Sequence, residues 1–284
     1  MDNKYKSGDV LVFKTSDSFI GKVISRLTDS DVSHSALVYD EKHYVHLVSK
    51  GIEKAELSDC PEHSVYQLRH STETDMTKVI DAATLYLAKD IPYNYPSLVI
   101  LGGLIIYRKS NYTPEYKAIV NTILGIACWS LDKLLNRIIA GEDNQAMMCS
   151  QFAYQCYFDA GSSYRIKIKD GVIWHESRED GGIRLIDLLE TKEEMPLFQI
   201  QDYDEKDIDE ERLAQKLYEA LTNESHADGY LANAELEDTL SKASKFLDLL
   251  EKILEALGSQ MPLPSLFVTP ADLCYNAENL EMVR

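Results

Sequence analysis

Cys149 and two histidines upstream of it are the residues whose types and spacing suit joint chemistry. Cys149 opens the run MMCSQFAYQCYFDAG, in which Phe152, Ala153, Cys156 and Tyr157 recur at spacings of three and four. That spacing predicts a helix with one buried face, and it sets Cys149 in the first helical turn. Unpaired backbone N–H groups and the positive end of the helix dipole favour a thiolate there over a thiol, which makes a cysteine nucleophilic at neutral pH. Gly161 is placed to stop the helix. The plainer alternative is a small core residue, because free cysteine is among the most often buried types.

A thiolate nucleophile needs an imidazole to move its proton and a third polar group to orient that imidazole. The segment SHSALVYDEKHYVHLVSKG supplies both. His34, Ala36 and Val38 share one face of a predicted strand; Asp40, Glu41 and Lys42 form a turn; Tyr44 to Val48 read as the returning strand. His34 and His46 then come side by side on one face. The roles follow: His34 holds Cys149 as the thiolate and serves as general base and then general acid, His46 orients His34, and the Cys149 N–H helps hold the oxyanion. His43 is expected at the solvated turn, and His63 and His70 have no partner pattern. Tyr39 alternates away from His34 and is read as structural. Gln151 lies at the helix start, near the site, and Gly8-Asp9 read as a turn with a structural carboxylate.

Taken in order, SGDVLVFKT, SHSALVY, YVHLVSKGI, CSQFAYQCY and VTPADLCYNAENLEMV resemble the circularly permuted papain-like amidases of the NlpC superfamily. The residues that carry the resemblance are Gly8-Asp9, His34, Cys149 and Thr269 to Leu273, and the matched pieces span about half of the chain. Where those amidases often have a glutamate as the third catalytic group, this chain has His46. A His-His-Cys set with about a dozen residues between the histidines is similar to the lecithin:retinol acyltransferase group of the same superfamily. The resemblance implies a bacterial source and a permuted papain-like fold, and it widens the implied chemistry from amide hydrolysis to acyl transfer.

The elements that must position these residues come from a chain of 284 residues, 45% hydrophobic and 27% charged, enough for one or two domains. A formal net charge of -18 makes nucleic acid an unsuitable partner, since phosphate binding needs clustered cations. The N-terminal MDNKYKSGDVLVF lacks the pattern of a secretory signal, and five cysteines without regular spacing suit a reducing compartment. A cytoplasmic location is expected, and a role in trimming extracellular cell wall becomes less so. No CxxC pair or His-x-x-x-His set is present, so no metal or cofactor is expected.

Strands are predicted over Val10–Lys14, His34–Tyr39, Tyr44–Val48, Glu53–Leu57 and Ser64–Leu68, with helices over Asp17–Leu27 and Thr77–Ala88. The apolar segments Pro96–Tyr107 and Ala118–Ile139 are read as core helices, because neither is an uninterrupted apolar span of ~18 residues. The sharper reading is an acyl-chain pocket or a face that lies on a membrane, and the scarcity of basic residues nearby favours the pocket. Tyr164–Trp174 is predicted as a hairpin turning at Asp170-Gly171. The acidic QDYDEKDIDEE, which lacks the spacing of a calcium loop, leads into helices over Glu210–Leu221 and Ala234–Leu257, with Gly258 as the stop.

The expected fold is α+β: a small antiparallel sheet packed on helices in a permuted papain-like arrangement, with an additional helical insertion. Residues 1–200 form the catalytic core, including a helical segment at 77–140. Residues 201–264 form an acidic helical insertion or cap, and 265–284 return to the core. The expected function is a cysteine-dependent hydrolase or acyltransferase that cuts an amide or ester through an acyl-thioester, on a small-molecule, lipid or peptide substrate, with peripheral membrane contact open. The alternatives are a non-catalytic binding module on the same fold and a peptide or cell-wall peptide amidase. A redox thiol ranks last, since Cys149 and Cys156 lie about two helical turns apart.

Overall fold

Period-two alternation over the first seventy residues builds one antiparallel sheet, and period-3.6 segments cover one side of it. The computed structural model describes residues 5–48, 51–60, 63–88, 95–108, 113–141, 151–173, 184–191, 197–222 and 233–283. The strands are β1 (Val10–Lys14), β2 (Val32–Val38), β3 (His43–Val48), β4 (Gly51–Glu56), β5 (Val65–His70) and β6 (Leu280–Met282). They lie in the order β4-β3-β2-β1-β5-β6, each antiparallel to its neighbours. The C-terminal segment therefore returns to the sheet and pairs with β5. The fold is α+β.

The helices are α1 (Phe19–Thr28), α2 (Thr77–Leu87), α3 (Pro96–Tyr107), α4 (Pro114–Ile139), α5 (Phe152–Asp159), α6 (Leu185–Glu190), α7 (Glu210–Thr222) and α8 (Asn233–Ala256). Capping sets several of their ends. The Ser18 side chain accepts from the Gly21 N–H at the start of α1, and Thr113 accepts from the Tyr116 N–H ahead of Pro114 in α4. α8 lies along α4, and α7 packs on α1 and α4, so segment 201–264 joins the helical layer through these contacts.

The two faces of the sheet carry different cores. Val10, Val12, Leu37, Val45, Leu47 and Leu68 face the helices. Leu11, Ala36, Val38, Tyr44 and Val65 face the other way, into a smaller cluster with Leu57 and Cys60. A bulge between Phe13 and Lys14 shifts the β1–β2 register, which lets His34 pair with Phe13 while Val32 pairs with Lys14.

One expectation is corrected. The chain at 164–173 forms no hairpin among the described residues, and Trp174 lies outside them. Asp170 does take a left-handed turn at φ 52°, but the backbone on either side bonds to the C-terminal segment instead of to itself. Lys169 N–H donates to the Asn276 carbonyl, Glu278 N–H to the Lys167 carbonyl, and Ile168 bridges Ala277. α4, whose sequence holds no uninterrupted apolar span of ~18 residues, has 26 residues and a window of mean hydropathy 1.4, long and apolar enough by length and composition to cross a membrane. Two-thirds of that window is buried within the protein, against α3 and α8, as in a core helix.

Asp9 ties this sheet together. Its carboxylate, 2% exposed, accepts from the Lys6 N–H, from Gln67 Nε2 at 2.6 Å, and from Arg69 Nε and Nη2 at 2.7 Å. Removing it takes one hydrogen bond from the buried Gln67 amide and frees the Arg69 guanidinium. We expect Asp9→Ala to lose about 3 kcal/mol in urea denaturation, the low end for removing one partner of a buried pair. A loss below about half a kcal/mol, the level of an ordinary surface change, contradicts this structural role.

Candidate active site

β2 and β3 bring the two histidines together. Leu37 pairs with Val45 and Val38 with Tyr44. Continued by one residue, that register sets His46 opposite Ala36, so the histidines are diagonal neighbours on one face and not facing partners. Imidazole rings span that diagonal. His34 Nε2 and His46 Nδ1 share a hydrogen bond at 2.9 Å, with ring centroids 5.2 Å apart and planes at 67°. Aromatic rings frame the pair: Phe13 stands 5.5 Å from His34, and Tyr44 stands 5.1 Å from His46, edge to face.

This environment sets the electrostatics. Burial, and then the neighbouring charge of His46, pushes His34 down from 6.5 to about 3. Burial also lowers His46, against an upward pull from Glu53. Glu53 is the direct cross-strand partner of His46 in β4 and is exposed to solvent. The sequence reading missed this neighbour. The tight β3–β4 hairpin, which pairs Val48 with Gly51, was the signal that would have placed it.

The other predicted site residues divide. Cys149 lies outside the described residues. α5 as described begins at Phe152, with Gln151 buried at its cap and donating from Nε2 to the Ser265 carbonyl. α5 packs on β2 and β3, and its buried residues belong to the same core as Leu37 and Val45. His34 and His46 instead share their face with Ala36 and Tyr44. The helix and the histidine pair thus occupy opposite faces of the sheet.

Two other histidines, His43 and His70, are held by structural partners. His43 is not freely solvated: Nδ1 lies 2.7 Å from Asp40 Oδ1 and Nε2 lies 3.2 Å from Glu56 Oε1. His70 is buried and stacks on Tyr157, with its Nδ1 accepting from the Glu73 N–H. The Tyr39 hydroxyl bonds Thr84 on α2, away from the histidine pair. In the Thr-Pro-x-Asp-Leu element, Asp272 is fully buried and accepts from Thr269 Oγ1 and from the Val172 N–H, so it fastens the C-terminal segment. No group of three or more metal-ligating side chains occurs among the described residues.

No protein-family model matches the chain, and no curated protein sequence matches it significantly.

Burial and the neighbouring His46 keep His34 neutral in the folded protein at neutral pH. In Cys149→Ala protein, the His34 Cε1–H resonance should keep its neutral-ring position down to about pH 5. The folded chain refuses a proton that the unfolded chain binds, so stability is full above 6.5 and falls as pH drops from there through about 3. His46 and His70 contribute in the same direction. Urea midpoints across this window should fall less steeply in Cys149→Ala/His34→Gln protein. A His34 ring titrating at its ordinary value overturns the assignment.

Proposed function

We propose that the protein is a cysteine hydrolase or thiol acyltransferase, acting on an amide or ester bond through an acyl-thioester on Cys149 in a permuted papain-like arrangement. One observation carries this reading: the 2.9 Å hydrogen bond between His34 Nε2 and His46 Nδ1. With Nε2 engaged, Nδ1 is the nitrogen of His34 left to exchange a proton with a nucleophile. His46 fixes the orientation and tautomer of the ring, as the third member of a catalytic triad does.

In this reading the Cys149 thiol gives its proton to His34 Nδ1, and the sulfur attacks the substrate carbonyl. The collapsing tetrahedral intermediate expels an amine or alkoxide, which takes the proton from Nδ1. Water or another acceptor then yields its proton to His34 and attacks the thioester, and the thiolate leaves. The thiolate also supplies the negative charge that this pocket needs, since a buried imidazolium without one is strongly disfavoured. Burial pushes Cys128 up to about 12 and Cys274 to about 11, and raises Cys156 well above its ordinary value, so none of these three competes as a thiolate at neutral pH. The long apolar helices favour a lipid-like acyl group over a peptide.

A non-catalytic binding module on the same fold is the second reading, favoured by the packing of α5 on the sheet face opposite the histidines. The hydrolase reading requires segment 142–150 to carry Cys149 round to His34.

Alkylation of Cys149 by iodoacetamide, followed by peptide mass spectrometry across pH, separates the two. The enzyme reading expects fast reaction persisting below about pH 6, slowed at least a hundredfold by His34→Ala and by less in His46→Ala. Reaction only near about pH 8.5, as for a free thiol, and unchanged by either substitution would sink it.

A further inference from the structure

A cleft of about 780 Å³ opens between α2, α4, α5 and α8, well inside the ~300–1,000 Å³ typical of small-molecule sites. It lies on the helical side of the sheet, whereas His34 and His46 face the other side. Its two ends differ in chemistry. The apolar end is walled by Leu131 and Leu134 of α4, Ile253 and Leu254 of α8, and Leu266. The polar end carries Lys78 and Arg165, which flank Tyr164. Lys78 Nζ lies 6.0 Å from the Tyr164 ring centroid, and the Arg165 guanidinium stacks over Phe158 at 4.2 Å. α2 spans both environments, from Lys78 in its first turn to Leu85 about 10 Å further along the axis.

Two observations point to an occupant. Leu85 and Leu257, both in the cleft lining, are 64% and 38% exposed, so aliphatic surface at its rim faces water. In a chain with 29 basic against 47 acidic residues, Lys78 and Arg165 each lack a carboxylate within ion-pair reach among the described residues. Of the two lining carboxylates, Asp159 is engaged by the Tyr86 hydroxyl and the Gln155 amide. Asp81, one turn beyond Lys78, remains on the rim, and Asp75 acts on Lys78 through space, so the two cations favour a ligand head with a single negative charge.

We propose that this cleft binds a single-chain monoanionic amphiphile, a long-chain carboxylate, with its head between Lys78 and Arg165 and its tail against Leu134 and Leu254. The site stands apart from the hydrolase reading and needs neither histidine.

Fluorescence titration with dansyl-undecanoate tests the assignment on the full chain. Saturable, blue-shifted binding is expected, displaced by dodecanoate and not by dodecyltrimethylammonium, which has the same tail and the opposite head charge. Leu254→Trp, which fills the tail end, and the exposed double variant Lys78→Gln/Arg165→Gln should each weaken binding about tenfold or more, with thermal melting held near wild type. The double variant keeps the test valid if Leu254→Trp fails to fold. His34→Ala should bind as wild type does, whatever the outcome of Cys149 alkylation. Absence of saturable binding, equal displacement by the cationic detergent, affinity unchanged in the double variant, or loss of binding in His34→Ala overturns the proposal.

Discussion

Side chains on an extended strand must alternate between the two sides of a sheet, and in this protein that alternation decides which groups can meet. Along β2, Leu37 goes to the helices while His34, Ala36 and Val38 go to the opposite side. The bulge beside Lys14 keeps His34 in step with Phe13 although Val32, two residues earlier, pairs across from Lys14. The histidine pair, its aromatic frame and its depressed basicity all follow from that register. So does the separation of the pair from the α5 core, which concentrates the question of catalysis on a single connection in the chain.

Two chemistries are therefore distributed over two surfaces. One face holds a hydrogen-bonded imidazole pair in surroundings that oppose positive charge. The other supports a helical layer in which α4 and α8 pack lengthwise and leave a cleft against α2 and α5. α5 belongs to the helical layer, yet it begins three residues after Cys149 and carries Gln151 at its cap. A ligand on one side of the sheet can influence the other through α5, which packs on β2 and β3, or through the strands themselves. That makes the short α5 helix the natural coupling element between the surfaces.

Much of the element order was legible in the sequence because each segment repeats a clear period. The five early strands and the helices around α1, α2, α7 and α8 follow from apolar spacing alone. The diagonal relation of His34 and His46 was nearly legible: alternation gave the shared face, but the turn geometry set the offset. The 164–173 segment misled, because its Asp-Gly turn is real while its hydrogen-bonding partner lies about a hundred residues away in the chain. The role of Asp9 was legible only as structural. Its ligands Gln67 and Arg69 come from β5, and no local pattern announces a contact across such a separation. The charged rim of the cleft has no local signal for a related reason, since Lys78 lies in α2 and Arg165 follows α5, and only packing brings both to one cleft.

The ends of the sheet carry a consequence for self-association. An edge strand offers a row of unpaired N–H and C=O groups that another chain can copy. β4 guards one edge with Glu53, Lys54 and Glu56, which place charge along the exposed strand. β6 guards the other with only three residues, Leu280 to Met282, laid against Leu68, Arg69 and His70. Loss of β6 bares the backbone of a longer strand, β5, with Tyr66 and Leu68 along it. β6 thus covers the β5 edge against sheet-to-sheet pairing, and a change within it bears on solubility before it bears on chemistry.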